Sequence, residues 1–138
     1  MKKIVIYSIV ISAFIISGSC GSKTKPPAPP SESNLVVTLT PPENSTQAPA
    51  PQTDFPLVVT ITSTMPSQGV TISVNAKKDD GSGAAAFFTT SSSTSSATSN
   101  FTITNTPTSV ICLTTVTVTS KTKASNTWTG TYRYSRKP

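Results

Sequence analysis

From residue 34 onward, apolar side chains recur at every second position in short runs, separated by turn residues. No stretch shows a sustained 3.6-residue apolar repeat, so the pattern predicts strands and no helices. Thr and Val dominate the runs, and a branched Cβ suits the pleated surface. Seven strands are expected. The first is 34–40, with Leu35, Val37 and Leu39 on one face, stopped by Pro41-Pro42 and followed by a Pro-rich loop to Asp54. The second is 55–64, with Leu57, Val59 and Ile61 in phase. The third is 69–77, with Val70, Ile72, Val74 and Ala76 inward. The fourth is 84–90, carrying Phe87 and Phe88, and the Ser/Thr run 91–99 after it reads as a polar loop or a sheet edge. The fifth is 100–105, with Phe101 and Ile103 inward. The sixth is 109–120, with Val110, Cys112, Val116 and Val118 on one face; the loop 121–126 joins it to the seventh, 127–136. Short alternating strands at this spacing, without helices, predict an all-β, single-domain β-sandwich over residues 34–138.

This sandwich resembles an immunoglobulin-like or fibronectin-III-like domain. The likeness is architectural. Cys112 falls on the sixth strand, but the second has no Cys and the third no Trp, so the antibody disulfide and its packed Trp are missing. Cys112 is expected to be a small buried hydrophobe.

The first 33 residues follow another pattern. Lys2 and Lys3 precede a 13-residue apolar run, Ile4 to Ile16, and Ser17-Gly18-Ser19 lead into Cys20. The run suits a signal-peptide core and is too short to span a bilayer as a helix. Small residues followed by Cys resemble the lipobox of bacterial lipoproteins, in a relaxed, Bacteroidota-like form with Ser17 where a Leu-like residue is usual. The resemblance implies a signal peptide over 1–19, lipidation of Cys20, and location in the cell envelope as an outer-membrane lipoprotein. It also implies a membrane anchor through that lipid, to which each buried CH₂ adds about 0.8 kcal/mol. Residues 20–33 then form a tether. Pro26, Pro27, Pro29 and Pro30 favour extended polyproline II, which at about 3.1 Å per residue reaches roughly 40 Å. The C-terminal stretch from Thr115 also resembles the ending of small uncharacterised envelope lipoproteins.

Composition narrows the chemistry. Of 138 residues, 22 are Ser and 25 are Thr, and there is no His. Without His, Ser-His-Asp and Cys-His catalysis and His-ligated zinc are excluded. Five carboxylates leave little for acid–base pairs. A thiol at Cys112 would lack an activating His, so no catalytic residue, no cofactor and no metal site is expected, and the protein reads as a non-enzyme. Lys77-Lys78-Asp79-Asp80-Gly81 reads as a turn, since adjacent carboxylates cannot give the alternating ligands of a calcium loop.

Three surface features remain. On the seventh strand Trp128, Gly130, Tyr132 and Tyr134 share one face, and Arg133 lies on the other with Thr127, Thr129 and Thr131. Aromatics opposite a polar face normally point inward. Facing solvent, Trp128, Tyr132 and Tyr134, with Arg133 beside them, would instead form a carbohydrate-binding platform. The basic C-terminus (Arg133, Arg136 and Lys137) reads as edge charge against aggregation, with attraction to anionic glycans or headgroups as the alternative. Regular Thr-x-Thr rows on the last two strands meet one requirement of an ice-binding face, but sheet twist opposes flatness. The expected function is adhesion or protein–protein interaction at the outer membrane. Envelope or surface proteins are the expected partners, with glycans as the alternative and no nucleic acid.

Overall fold

The computed structural model describes residues 31–138. The apolar run, Cys20 and the Pro-rich part of the tether lie outside the described residues. Within them the chain is an all-β sandwich with the seven strands expected: β1 (Val37–Thr40), β2 (Phe55–Ile61), β3 (Val70–Lys78), β4 (Phe88–Thr94), β5 (Thr98–Ile103), β6 (Ile111–Ser120) and β7 (Thr127–Ser135). A three-stranded sheet has the order β1-β2-β5 and a four-stranded sheet the order β4-β3-β6-β7. Every pairing within them is antiparallel. The fourth strand thus sits beside the third, whereas a constant-type immunoglobulin domain places it on the other sheet.

The alternation becomes the core. Leu57, Val59, Val70, Ile72, Val74, Ile103, Val116 and Val118 are fully buried between the sheets. Each large apolar side chain buried there contributes about 1.5–3 kcal/mol. Cys112 is buried and free, as its sequence environment implied.

Three differences from the expected elements have definable reasons. β1 starts at Val37, not at 34, because the backbone before it is held by side chains. The Leu35 N–H goes to Asn126 Oδ1 (2.9 Å) and the Val36 N–H to Ser63 Oγ (3.1 Å). β4 lies over Phe88–Thr94 rather than 84–90, so most of the Ser/Thr run is a sheet edge, with a tight link over 95–97. Its pairing with β3 runs from Val70↔Thr94 to Ala76↔Phe88.

The third difference concerns the Pro-rich segment, which is not a free loop. Pro41 and Pro42 have no N–H to continue the ladder on β2, and the chain leaves that sheet there. It then runs parallel to β7. The Asn44 N–H reaches Thr131 O (2.7 Å), Gln47 N–H reaches Arg133 O (2.8 Å), and Arg133 N–H returns to Ser45 O (2.9 Å). Ala50 N–H reaches Ser135 O (3.2 Å), and Lys137 N–H reaches Ala50 O (2.8 Å). Residues 44–50 are a strap that covers the outer edge of β7 from Thr131 onward.

Strand directions define two ends. Residues 31–36 enter at the near end, which also carries the links 62–69, 95–97 and 121–126. The far end carries the links 79–87 and 104–110 and the last residues of the chain.

Candidate functional site

The seventh strand decides the aromatic stripe. Tyr132 is 2% exposed and Tyr134 is 1% exposed, so both belong to the core. Tyr134 packs against Phe55 with ring centroids 4.4 Å apart and against Tyr132 at 5.9 Å. Trp128 is half-buried, and its indole lies over Gly130, where a Cβ would overlap the ring and come within 3.0 Å of the Glu43 carboxylate. The missing side chain at Gly130 is what lets the indole lie flat along the strand. Arg133 projects from the opposite face, and its Nε is 2.6 Å from Asp79 Oδ2. The four residues proposed as one binding platform are therefore not brought together. A solvent-facing platform loses both tyrosines.

Instead the tyrosine hydroxyls form a polar end to the core. Tyr134 Oη lies 3.1 Å from the Thr106 hydroxyl, which is also buried. The hydroxyls of Thr114 and Tyr132 are buried without a well-formed hydrogen bond, although Thr114 stands beside both phenols. Burial pushes the Tyr132 phenol up to about 12 and raises Tyr134 further, each moderated by its threonine neighbour. Burial also raises the Cys112 thiol to about 11, with Lys78 opposing it, so this thiol stays protonated and unreactive at neutral pH.

Between the strap and this aromatic cluster is a cavity of about 260 Å³. Gln47, Ala50 and Gln52 line it from the strap side, and Phe55, Tyr132 and Tyr134 from the core. No lining side chain is charged. Its size falls just under the range of small-molecule sites.

The outer face of the four-stranded sheet carries a feature the sequence showed only in part. Strand register lines its side chains into rows. One row is Ser93, Thr71, Thr119 and Thr127. The next is Ser91, Ser73, Thr117 and Thr129, and the third is Thr89, Asn75, Thr115 and Thr131. Neighbours bond across the strands: Thr71 with Ser93 (3.3 Å), Ser73 with Ser91 (3.3 Å), Asn75 Nδ2 to Thr89 (3.2 Å) and Thr127 to Thr119 (3.2 Å). Such pairs fix side-chain rotamers and support the sheet by a few tenths of a kcal/mol to about 1 kcal/mol each. The Thr rows of β6 and β7 were legible as alternation. Their continuation onto β3 and β4 was not, because pairing partners are not written in sequence.

At the near end, Asn126 works as a clamp. It is 8% exposed. Its Oδ1 accepts the Leu35 N–H, and its Nδ2 donates to Ser33 O (2.8 Å) and to the Glu32 carboxylate. The β6–β7 link thereby holds the first described residues against the sandwich. An Asn in a short loop reads as a turn residue, so this role had no sequence signal.

The 79–87 turn uses its acids locally. Asp79 pairs with Arg133, and Asp80 Oδ1 accepts from Ser82 N (3.0 Å) and Ser82 Oγ (2.5 Å). The Ser82 hydroxyl holds the Asp80 carboxyl below its ordinary value. Among the described residues no group of three acidic, Cys or His side chains could hold a metal ion.

Comparison of the chain with family models, with curated proteins and with solved structures finds no match.

Proposed function

We propose that this protein is a non-enzymatic lipoprotein of the cell envelope whose sandwich presents its far end and flanks to other envelope or surface proteins. Lys2 and Lys3, the apolar run, Ser17-Gly18-Ser19 and Cys20 support export and acylation at Cys20. Outer-membrane location follows from the same signal, with Gly21 in place of an acidic retention residue.

The observation that carries the presentation reading is the Asn126 clamp. It holds residues 32–35 at the near end, so a tether arriving there has a defined point of attachment. Lys121 and Lys123 are exposed at this same end. Their charge suits anionic headgroups, with about 1 kcal/mol per basic residue close to such a surface. The links 79–87 and 104–110 lie at the opposite end of the sandwich from residues 32–35. Recognition by such a domain is surface complementarity, not chemistry.

The anchor is tested by metabolic labelling with a fatty-acid analogue. Wild type is expected to take up label and Cys20→Ala to lose it; equal labelling of both refutes acylation at Cys20. Protease treatment of whole cells reports which side of the outer membrane the sandwich faces. Affinity capture from membranes, repeated with Asp80→Lys in the far-end turn, tests presentation. A partner retained equally by both proteins would not be using that turn.

A further inference from the structure

The outer edge of β4 is the longest uncovered strand edge among the described residues. The strap covers β7 from Thr131 onward, β1 spans four residues between side-chain-held backbone and Pro41, and β5 spans six with the bulky Phe101 among them. β4 runs for seven residues, and among the described residues none of its backbone groups facing away from β3 has a backbone partner. Natural sheets guard such an edge with charge, Pro, a bulge or extreme shortness. Phe88–Thr94 has no charged residue and no Pro.

We propose that this edge pairs with the β4 edge of a second copy of this chain, antiparallel about a two-fold axis at Ser91. The four-stranded sheet would then become an eight-stranded one. The sequence is self-complementary in this register. Ser91 meets Ser91, Thr89 meets Ser93, and Thr90 meets Ser92, so no like charges and no bulky pairs oppose each other. On the outer face these are the same kinds of pair already made with β3, where Thr71 bonds Ser93 and Ser73 bonds Ser91. The hydroxyl rows would run unbroken across the axis. An isologous contact of this kind closes after two copies, leaving no free β4 edge to propagate. A single ribbon of paired strands is a small interface, which makes the dimer dependent on concentration. The pairing does not depend on the lipid anchor.

A cysteine pair across the axis provides the test. Antiparallel partners stand about 4.5–5.5 Å apart at Cα, within the span of a disulfide. The full chain carrying Ser91→Cys, in detergent under mild oxidation, is expected to run mainly as a disulfide-linked species of twice the chain mass. Wild type, with its own cysteines, sets the background. Thr117→Cys, on the same face but on the inner strand β6, is expected to stay at that background. Linkage of Ser91→Cys no greater than wild type, or Thr117→Cys linking as readily, overturns the proposal. Sedimentation equilibrium in density-matched detergent gives an independent reading. Wild type is expected to shift from one to two chains as concentration rises. Ser91→Lys is expected to stay monomeric with an unchanged melting temperature. A wild type that stays monomeric, or a Ser91→Lys protein that still dimerises, refutes it.

Discussion

Along β7 from Thr131 onward, the backbone groups that face away from β6 meet residues 44–50, and the core beneath is aromatic: Phe55, Tyr132 and Tyr134 in contact, with Trp128 laid over Gly130. Along β4, on the other side of the same sheet, no strap follows, and the side chains are Ser and Thr except for Phe88. Even the inward side of β4 is only partly covered, since Ser92 has inward parity and is exposed. One side is finished by burying large rings under a second layer of chain. The other is finished by small hydroxyls that tolerate water. The contrast separates two sources of order in one sheet: interlocked volume on the β7 side, and backbone pairing with a thin hydroxyl ladder on the β4 side.

Substitutions should expose that asymmetry. The largest effect is expected at Tyr134→Ala, which empties a site shared with Phe55 and Tyr132. Urea unfolding should show a loss of about 3–5 kcal/mol. A loss under 1 kcal/mol would mean that the aromatic side is not tightly packed. Next comes Gly130→Ala. The added methyl displaces the Trp128 indole and crowds the Glu43 carboxylate, at a cost of about 1–3 kcal/mol, with a red shift of Trp fluorescence as the ring moves toward water. Asn126→Ala leaves the Leu35 N–H and Ser33 O without their side-chain partner, and a destabilisation of about 1–3 kcal/mol is expected in thermal melts. Ser93→Ala on the β4 side is expected to stay within about 0.5 kcal/mol of wild type.

Alkali should act on the β7 side selectively. The phenol of Tyr132 is raised to about 12 in the folded protein, Tyr134 is raised further, and the Cys112 thiol is raised to about 11. In each case the folded state holds its proton to higher pH than the unfolded chain does. The stability linked to these protons is complete below about pH 7.5 and declines as pH rises through the ordinary Cys and Tyr values, near 8.5 and 10, toward the raised ones. Melting temperature should therefore drop steeply above pH 10, and Tyr132→Phe should flatten the drop. An unchanged slope would show that the Tyr132 hydroxyl is not desolvated.

The sequence spoke most clearly where side chains report on burial. Val, Ile and Leu at alternating positions of β2, β3 and β6 identified the core faces, and the opposite parity of Thr identified the outer face. It was least informative where the backbone does the work. β4 has no apolar alternation beyond Phe88, so nothing in Ser91–Thr94 distinguishes a strand from a polar loop. The strap 44–50 is held by main-chain bonds to β7 that any sequence without misplaced Pro could make. The aromatic parity of β7 correctly implied that Tyr132 and Tyr134 face inward. It could not show that Arg133 would be used by Asp79 in a turn 54 residues earlier.

The strap and the Asn126 clamp also bear on when the molecule can fold. The Leu35–Asn126 bond closes a separation of 91 residues, and residues 44–50 find their partners only on the last strand. Contacts so distant in sequence must offset a large loop-closure entropy before they stabilise anything. All-β chains of this kind form on millisecond-to-second timescales. While residues 127–136 are still being synthesised, β1 to β6 can already pair with one another, but residues 44–50 have no edge to close against. The strap is therefore the last part of the fold to close, because its partners belong to the final strand.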